Sequence, residues 1–533
     1  MIENQEKQNV LGIIAEYNPF HNGHLYHLTE SKRKCNAKYA VAIISGNFTQ
    51  RGDASIVNKF EKAKMAIENG IDMVIELPTL YSISSAENFA NGAIKILNEL
   101  NFATHISFGS ESGNINQLND IASILTDEPE EFSKLLKEEL RKGSSFPVAR
   151  QNAIEKFLNL TNKNTSNNNN NNNNDNNNDN SNNDTNYSKF NKLLNSPNNI
   201  LAIEYLKALK KTKSYITPIT IERKNVDYYS ENIVENFASS TKIRKEISEN
   251  PNMHTNIMDM NNMDMNNMDM NNMDINNMDI NNMNINNMDI INNMDVNMDM
   301  FLNSCMPKKS YDIIKENIEK GNCIQGLKCF EDMIFYKLRS MQINEIKEIP
   351  DVCEGLENVI KKASNETNSL EDLINKCKSK RYTRTRIQRI LIYALLGITR
   401  QDMEMSKNVN PYIRVLAVNK NGKELLSIIN KTIVNKANVK TDINNKPNEN
   451  TDINNIIINN PNDNADNKIN IKETNIITSL KKFESTNEDK ALNRMMEIDK
   501  LATDIYTIKQ RSGYIGGLDY TMPIFLDWLY NKC

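Results

Sequence analysis

Three of the five histidines in this 533-residue chain fall within seven residues, at His21, His24 and His27. They follow an apolar run, Val10–Ala15, and a proline-marked turn, and Gly23 lies among them. This order predicts a strand, a turn and the start of a helix. A helix N-terminus offers N–H groups and partial positive charge to phosphate, and imidazoles can donate further hydrogen bonds to a triphosphate. The chemistry that fits is attack on an α-phosphate with pyrophosphate leaving, which depends mainly on positioning and charge stabilisation.

Two other interpretations of the histidines stay open at this point. They could be surface residues of an ordinary first helix, or they could bind a metal ion. Zinc sites need convergent ligands, and His24 and His27, three residues apart on a helix, offer only two on one face. We therefore predict a nucleotide site with His21 and His24 as catalytic residues, and no metal site.

The first hundred residues repeat one unit, an apolar run followed by a polar turn and a helix-like stretch. The runs start 29, 34 and 31 residues apart, which is the spacing of βαβ units, and they are Val10–Ala15, Tyr39–Ser45, Met73–Leu77 and Thr104–Phe108. Helical apolar spacing marks Leu25–Lys34, Lys59–Asn69, Ser85–Leu100 and Asn199–Lys211, and a further strand is predicted near Ile216–Glu222. The predicted fold class is α/β, a doubly wound parallel sheet of Rossmann-like type with its ligands at the carboxyl ends of the strands, followed by a mostly helical C-terminal region.

Asparagine-rich segments divide the chain. We expect a nucleotide-binding domain at 1–250 with an Asn-rich insert at 162–187, a low-complexity Asn/Met insert at 251–300, a helical region at 301–435, a third Asn-rich insert at 437–476 and a C-terminal segment at 477–533. The insert at 251–300 repeats a pentad of the type Asn-Asn-Met-Asp-Met. A period of five keeps no apolar stripe on one face of a helix or strand, so we interpret this insert as a disordered loop generated by repeat expansion; the alternative is a Met-lined binding strip.

Composition narrows the class of protein. The net charge of −4 excludes a wholly basic nucleic-acid coat but allows local basic patches. No run of eighteen apolar residues exists and no apolar signal core precedes Val10, so we predict a cytoplasmic protein without a membrane segment. The seven cysteines are odd in number and never spaced C-x-x-C, which indicates reduced thiols rather than disulfides or zinc ligands. No obligate protein partner is indicated.

Several motifs in the chain resemble those of one enzyme family. His21–His24 is similar to the His-x-Gly-His signature of nucleotidyltransferases, and Ser239–Arg244 resembles their second motif, Ser-Ser-Thr-x-Ile-Arg. More narrowly, Glu16–His24, Ser45–Gly52 and Ile75–Pro78 resemble the tRNA(Met) cytidine acetate ligase family. The resemblance covers most of 10–250 and, more loosely, 309–435 and 495–525, whereas the Asn-rich inserts depart from the family's usual length.

The resemblance implies a two-step reaction. Acetate and ATP would form acetyl-adenylate and pyrophosphate, and the acetyl group would then pass to N4 of the wobble cytidine of elongator tRNA(Met). ATP is thus the expected nucleotide, Mg²⁺ its expected companion, and acetate and the tRNA the expected partners.

The resemblance also assigns ATP contacts, to one continuous segment and to several separate residues. The segment is Ile14, Ala15, Glu16, Tyr17, Asn18, Pro19, Phe20, His21, Asn22, Gly23, His24, Leu25, Tyr26 and His27, and the separate residues are Gly109, Asn198 or Asn199, Arg223, Thr241 and Arg244. Gly109 follows the fourth predicted strand, where a side chain would clash with a ligand, and a hydroxyl and a guanidinium near a helix start suit the leaving pyrophosphate. The structural alternatives are a turn glycine, a helix cap and a surface charge.

The loop after the second predicted strand, Ser45–Gly52, places several hydrogen-bond donors beside two glycines. Asn47, Gln50 and Arg51 are its candidates for holding acetate or closing over the adenylate. The alternative is a polar connector between a strand and a helix.

A basic cluster lies before and within a predicted helix at Arg386–Leu396, and the residues taken as tRNA contacts are Lys380, Arg381, Arg384, Arg386 and Arg389. A helix that buries its apolar face would present the guanidiniums and Tyr382 outward, toward phosphates and bases. The alternative is a solvated helix face.

Two rival functions share some of these features. One is a small-molecule adenylyltransferase, which would not need the long C-terminal half with its arginine cluster. The other is a nucleotide-responsive RNA-binding protein without catalysis, which degenerate motifs would support. Here His21, Gly23, His24, Thr241 and Arg244 are all present.

Overall fold

The computed structural model describes residues 8–143, 146–168, 196–223, 237–249, 298–427, 476–477, 480–486, 489–511 and 516–526. The predicted inserts at 162–187, 251–300 and 437–476 lie outside the described residues, apart from their ends. At the first of these ends, the helix Phe146–Asn168 continues into the Asn-rich segment.

A single eight-stranded sheet forms the centre of the fold. Its strands are β1 Asn9–Ala15, β2 Ala37–Ser45, β3 Met73–Leu77, β4 His105–Ser110, β5 Thr217–Glu222, β6 Ile413–Val418, β7 Ile476–Ile477 and β8 Phe525–Leu526. The order is β5-β4-β1-β2-β3-β6-β7, with β8 also paired to β6. Strands β1 to β5 are all parallel, so the predicted parallel α/β sheet is confirmed. The chain order reverses between β1 and β4, which makes their carboxyl ends the topological switch point where ligands bind in such sheets.

Helices cover both faces of the sheet. The first half of the chain supplies α1 Asn22–Cys35, α2 Lys59–Glu68, α3 Thr79–Ser82, α4 Ala86–Leu100, α5 Ile115–Asp127, α6 Glu130–Arg141, α7 Phe146–Asn168, α8 Pro197–Lys211 and α9 Ser240–Ser248. Along β2 the side chains alternate between two apolar layers, Tyr39, Val41 and Ile43 in one and Ala40, Ala42 and Ile44 in the other. Because both faces are buried, the strands read as continuous apolar runs rather than alternating ones.

Most predicted elements are present with small shifts of their ends. The largest shift is at α1, which was predicted from Leu25 and begins at Asn22. The apolar pattern missed its first turn because Asn22, Gly23 and His24 are not apolar. Ser85 caps α4, its side chain accepting a hydrogen bond from the backbone N–H of Asn88.

The C-terminal half is mainly helical and returns to the sheet. Its helices are α10 Lys308–Glu319, α11 Glu331–Ser340, α12 Ile343–Lys347, α13 Leu356–Glu366, α14 Leu370–Cys377, α15 Arg384–Leu396, α16 Arg400–Asn408, α17 Leu480–Thr486, α18 Lys490–Thr507 and α19 Leu518–Thr521. Strand β6 then pairs antiparallel with β3. The two halves of the chain therefore share one sheet and one continuous core.

A buried group of four charges joins β3 to the C-terminal segments. The Lys59 ammonium lies 2.8 Å from carboxylate oxygens of both Glu76 and Asp519, and the Arg414 guanidinium lies 3.0 Å from Glu76 and 2.8 Å from Asp519. All four side chains are buried. Two cations and two anions balance here, which is the condition for burying charge without a large penalty.

Within the described residues, no helix is long and apolar enough to cross a membrane.

Candidate active site

The loop between β1 and α1 lies at the switch point of the sheet. Ile14 and Ala15 end β1, Glu16–Phe20 form the loop, and Asn22–His27 make the first turns of α1. Tyr17 has a φ of +46°, and the peptide bond from Asn18 to Pro19 is cis. The loop is anchored by the buried rings of Tyr17 and Phe20, which pack with centroids 4.8 Å apart, and by the Asn18 side-chain oxygen, which accepts a hydrogen bond from Ile56 N at 2.8 Å.

Hydrogen bonds set the tautomers of the first two histidines. His21 caps α1, and its Nδ1 accepts a hydrogen bond from Gly23 N at 3.0 Å. The Nδ1 of His24 accepts in turn from His21 N at 3.2 Å, and the two rings stack with centroids 3.9 Å apart. A neutral imidazole that accepts at Nδ1 carries its proton on Nε2. Both rings therefore present an Nε2–H donor, which suits an anionic ligand.

Both imidazoles are held neutral by their surroundings. Burial lowers the pKa of His21 to about 3, with Arg223 and Arg244 adding repulsion. Burial also lowers the pKa of His24 well below its ordinary value, assisted by His21 and Arg223. Near neutral pH these side chains act as hydrogen-bond donors rather than as proton acceptors or cations.

We expect turnover to show no histidine titration between about pH 6 and about pH 8, because the imidazoles of His21 and His24, the predicted catalytic residues, stay neutral there. The free energy of unfolding should be affected only in acid. In the unfolded chain His21 binds a proton below about pH 6.5, whereas in the folded protein it does so only near pH 3. The free energy of unfolding therefore decreases as the pH falls from about 6.5 to about 3. A pH–rate profile with a midpoint between about pH 6 and about pH 7 that disappears in His21→Asn would contradict this expectation.

His27 faces the neighbouring strand. Its Nε2 lies 3.0 Å from the Ser107 hydroxyl on β4, and that hydroxyl lies 2.7 Å from the hydroxyl of Ser31. Burial lowers the pKa of His27 to about 4, with repulsion from Arg223 contributing. These contacts position α1 on β4, and a direct contact of His27 with ATP stays a prediction.

Three guanidiniums converge near the histidines. Burial lowers the pKa of Arg223 and of Arg244. The positive charge of Arg51 lowers both further, whereas the carboxylate of Glu111 raises the pKa of Arg223 and those of Asp53 and Glu16 raise the pKa of Arg244. Arg244 also donates to the carbonyl oxygen of Asn18 at 2.8 Å and lies 3.5 Å from the Thr241 hydroxyl. Like charges in a partly desolvated site repel each other, and the carboxylates of Glu16, Asp53 and Glu111 offset part of this repulsion, so the arrangement fits a polyphosphate that completes the neutralisation.

Gly109 and Arg223 were predicted separately and lie side by side. A Cβ added at Gly109 would lie 3.4 Å from Cγ of Arg223. That distance is an ordinary van der Waals contact, so the arginine side chain by itself does not require a glycine at this position.

The two candidate asparagines of α8 have different roles in the loop after β4. Asn199 is buried, and its side-chain oxygen accepts from the backbone N–H of Glu111 at 3.0 Å. The Asn198 side-chain amide donates to the carboxylate of Glu111 at 2.6 Å. Asn199 thus holds the loop, while the half-buried Asn198 lies nearer the open side of the site.

The Ser45–Gly52 loop is bound to the protein on several sides. The buried side chain of Asn47 accepts from Lys59 N at 2.8 Å and donates to the Thr503 hydroxyl at 3.1 Å, so it holds the loop in place. Gln50 N donates to the Glu16 carboxylate at 2.9 Å, which joins the loop to the proposed ATP segment. Gln50 and Arg51 are half-buried at its tip.

Lys62, which no sequence motif singled out, also contacts the Ser45–Gly52 loop. Its buried ammonium donates to the carbonyl oxygen of Gly46 at 2.8 Å and to the hydroxyls of Ser45 and Ser55 at 3.2 and 3.1 Å. Burial lowers its pKa to about 7. These bonds hold the base of the Ser45–Gly52 loop. The one signal for Lys62 in the sequence was its position four residues before the apolar Ala66, which places both side chains on the same face of the predicted helix.

The basic cluster at the start of α15 is largely paired within the protein. Arg384 makes two bonds of 2.6 Å to Glu371, and Arg381 forms an ion pair with Glu354. Arg386 donates to the backbone oxygen of Asp351 at 3.0 Å, whereas Lys380 is exposed at the surface.

The prediction that Tyr382 points outward is wrong. Tyr382 is buried, and its hydroxyl donates to the carbonyl oxygen of Cys353 at 2.6 Å, so it is not available to stack on a base.

Metal binding has no visible basis in the part of the chain that the structure describes. No group of three or more His, Cys, Asp and Glu residues there is arranged to hold a metal ion.

Comparisons with known proteins identify the family. A model of the HIGH Nucleotidyl Transferase family matches residues 8–515. The tRNA(Met) cytidine acetate ligase of a Thermoanaerobacter species is 36% identical over 516 residues, which cover 97% of this chain and 99% of that relative. The chain belongs to the tRNA(Met) cytidine acetate ligase family. Another family member, from Acetivibrio thermocellus, is 39% identical over 424 residues, covering 79% of this chain and 86% of the relative.

A solved structure from the same family has the same overall fold. Thermotoga maritima TmcAL bound with alpha-thio ATP superposes with a TM-score of 0.69 at 25% sequence identity, covering 97% of this chain and 99% of that chain. The apo form of that protein gives a TM-score of 0.70. The family's fold therefore extends over the N-terminal sheet and the C-terminal helices alike.

Proposed function

We propose that this protein is an ATP-dependent acetate ligase that forms N4-acetylcytidine at the wobble position of elongator tRNA(Met) through an acetyl-adenylate. The observation that carries the proposal is the convergence of two neutral imidazoles and three guanidiniums at the switch point of the sheet. Membership of the tRNA(Met) cytidine acetate ligase family supports the choice of acetate and of the tRNA.

In the first step, an acetate oxygen attacks the α-phosphorus of ATP while the bond to the pyrophosphate oxygen breaks. Acetate is already ionised, so no base is needed. The Nε2–H groups of His21 and His24 stabilise the charge that develops on the phosphates, and Arg223 and Arg244 neutralise the leaving pyrophosphate. The lowered pKa of both histidines agrees with this role as neutral hydrogen-bond donors.

In the second step, N4 of the cytidine attacks the acetyl carbonyl carbon, AMP leaves, and the amine loses one proton. The acyl-adenylate must be shielded from water until the tRNA arrives, because it hydrolyses readily. The Ser45–Gly52 loop is our candidate cover, with Gln50 and Arg51 at its tip and Asn47 holding its base.

Nucleotide contacts are proposed for the whole segment Ile14–His27, together with Gly109, Asn198, Arg223 and Thr241. Mg²⁺ would enter with ATP. Since the described residues offer no acidic cluster, the phosphate oxygens of ATP are its proposed ligands.

The decisive experiment follows pyrophosphate release by the purified protein with ATP and labelled acetate, with and without elongator tRNA(Met), and then analyses the nucleosides of the tRNA. Labelled N4-acetylcytidine would support the proposal. Pyrophosphate release without tRNA labelling would favour a small-molecule adenylyltransferase, and tight tRNA binding without turnover would favour a non-catalytic RNA-binding protein.

We expect Lys380→Ala to weaken tRNA binding and to reduce the slope of log affinity against log salt by about 1, because one phosphate contact is lost. Filter binding over a range of salt concentrations measures both. The matched control is Lys376→Ala, which removes an exposed lysine that pairs with Glu366 on neighbouring helices. Equal slopes for Lys380→Ala and the wild type would exclude a phosphate contact at Lys380.

A further inference from the structure

The tip of the Ser45–Gly52 loop packs directly on the backbone of α15. Gly52 has a φ of +76°, and a Cβ added there would lie 2.6 Å from the backbone nitrogen of Arg389 and 2.8 Å from Cβ of Gln388. Only a glycine fits this contact without displacing the helix or the loop. The helix that carries the basic cluster therefore touches the loop proposed to cover the adenylate.

Arg389 points toward this loop and away from solvent. Its side chain is 11% exposed, whereas those of Arg384 and Arg381 are 44% and 68% exposed. One Nη of Arg389 donates to the carbonyl oxygen of Gln50 at 3.5 Å, and the other lies 3.9 Å from the Asp351 carboxylate. Its Nε is buried and has no hydrogen-bond partner among the described residues. A side chain enclosed in this way is poorly placed to meet an RNA phosphate.

The same loop residue is held from its other side by the nucleotide segment. Gln50 N donates to the Glu16 carboxylate at 2.9 Å, and Glu16 directly follows β1. The peptide groups around Gln50 are thus clamped between Arg389 and Glu16.

We propose that Arg389 is a positioning residue for adenylate formation, which holds Gln50 and Arg51 in place over the acetate, and that it is not a tRNA contact. The inference rests on the proposed function, and it departs from the sequence-based prediction that Arg389 belongs to the tRNA-binding group. The other four members of the group keep that proposed role, namely Lys380, Arg381, Arg384 and Arg386.

Replacing Arg389 should therefore impair adenylate formation even when no tRNA is present. Loss of a charge-assisted hydrogen bond that orders a substrate-binding loop should raise the KM for acetate about tenfold in Arg389→Ala. The KM for ATP and the tRNA affinity should each stay within about twofold of the wild type. Arg389→Lys keeps a cation and a donor facing Gln50, so the KM for acetate should return to within about threefold of the wild-type value.

The test is acetate-dependent exchange of labelled pyrophosphate into ATP without tRNA, combined with tRNA filter binding, for the wild type, Arg389→Ala and Arg389→Lys. Thr385→Ala, which removes an exposed hydroxyl from the same helix, is the matched control. A merely structural role would lower the amount of active enzyme in all assays together, and it would not move the KM for acetate selectively.

Two results would overturn the inference. One is an unchanged KM for acetate in Arg389→Ala together with weakened tRNA binding, which would return Arg389 to the RNA surface. The other is a wild-type protein that binds ATP but shows no acetate-dependent exchange. That result would contradict the proposed function itself, and the wild-type protein alone is enough to observe it.

Discussion

His24→Asn should lower the rate of acetate-dependent pyrophosphate exchange by about 10²–10³-fold, because it removes one preorganised donor to the reacting phosphates. The asparagine side-chain oxygen stands at the same distance from the backbone as Nδ1 of His24. It can therefore still accept the hydrogen bond from His21 N. The Nε2–H donor, in contrast, has no counterpart in asparagine, so the change is confined to the part of the ring that faces the ligand.

His24→Gln is the matched control. Its side-chain amide nitrogen reaches about as far as Nε2 but leaves His21 N without its acceptor, so this variant should keep more activity than His24→Asn and lose more stability. Exchange kinetics and thermal unfolding of the two variants separate the two functions of the ring. Equal activity of His24→Asn and the wild type would mean that Nε2 of His24 does not act on the phosphates.

Glu76→Gln should lower the free energy of unfolding by about 3–5 kcal/mol, the usual effect of removing one partner from a buried ion pair. The amide leaves Asp519 as the one remaining ion-pair partner of the buried cations Lys59 and Arg414 among the described residues, with the buried Asp499 interacting with Lys59 at longer range. Because Arg414 lies on β6 and Asp519 on α19, the loss should loosen the attachment of the C-terminal segments to the sheet. Denaturant unfolding measures the effect.

Two comparisons sharpen this prediction. Glu30→Gln breaks an ion pair with the exposed Arg33 and should change the free energy of unfolding far less than Glu76→Gln does, because solvent screens the pair. The double variant Lys59→Met with Glu76→Gln leaves Arg414 and Asp519 balanced, so it should recover part of the stability lost by Glu76→Gln alone. A loss for Glu76→Gln no larger than that for Glu30→Gln would show that the buried charges do not hold β6 in place.

The α/β sheet could be predicted because its signal is local. Each of the first four strands is an apolar run followed by a polar turn, and the spacing of the runs requires parallel crossovers. The histidine motif could be placed for the same reason, since it follows β1 directly. What no local pattern reveals is that β6, more than 300 residues after β3, pairs with it in the same sheet.

The directions in which the side chains of the basic segment point were harder to predict. Tyr382 and Arg389 share a basic segment with Arg384, yet Tyr382 is buried and Arg389 turns toward Gln50. A long side chain near a helix start can adopt several directions, and the neighbours that choose among them come from remote parts of the chain. Lys62 was missed on the same grounds, because its three acceptors become visible only when the loop is folded over α2.

The sequence by itself determined which chemical groups follow β1 and that they stand at the N-terminus of a helix, because strand, turn and helix are adjacent along the chain. Only the tertiary structure decided how the distant groups meet. Arg244 reaches the carbonyl oxygen of Asn18 across 226 positions, and Asn199 holds the backbone of Glu111 across 88. Such contacts depend on the strand order of the sheet and on packing throughout the fold, so no short motif encodes them.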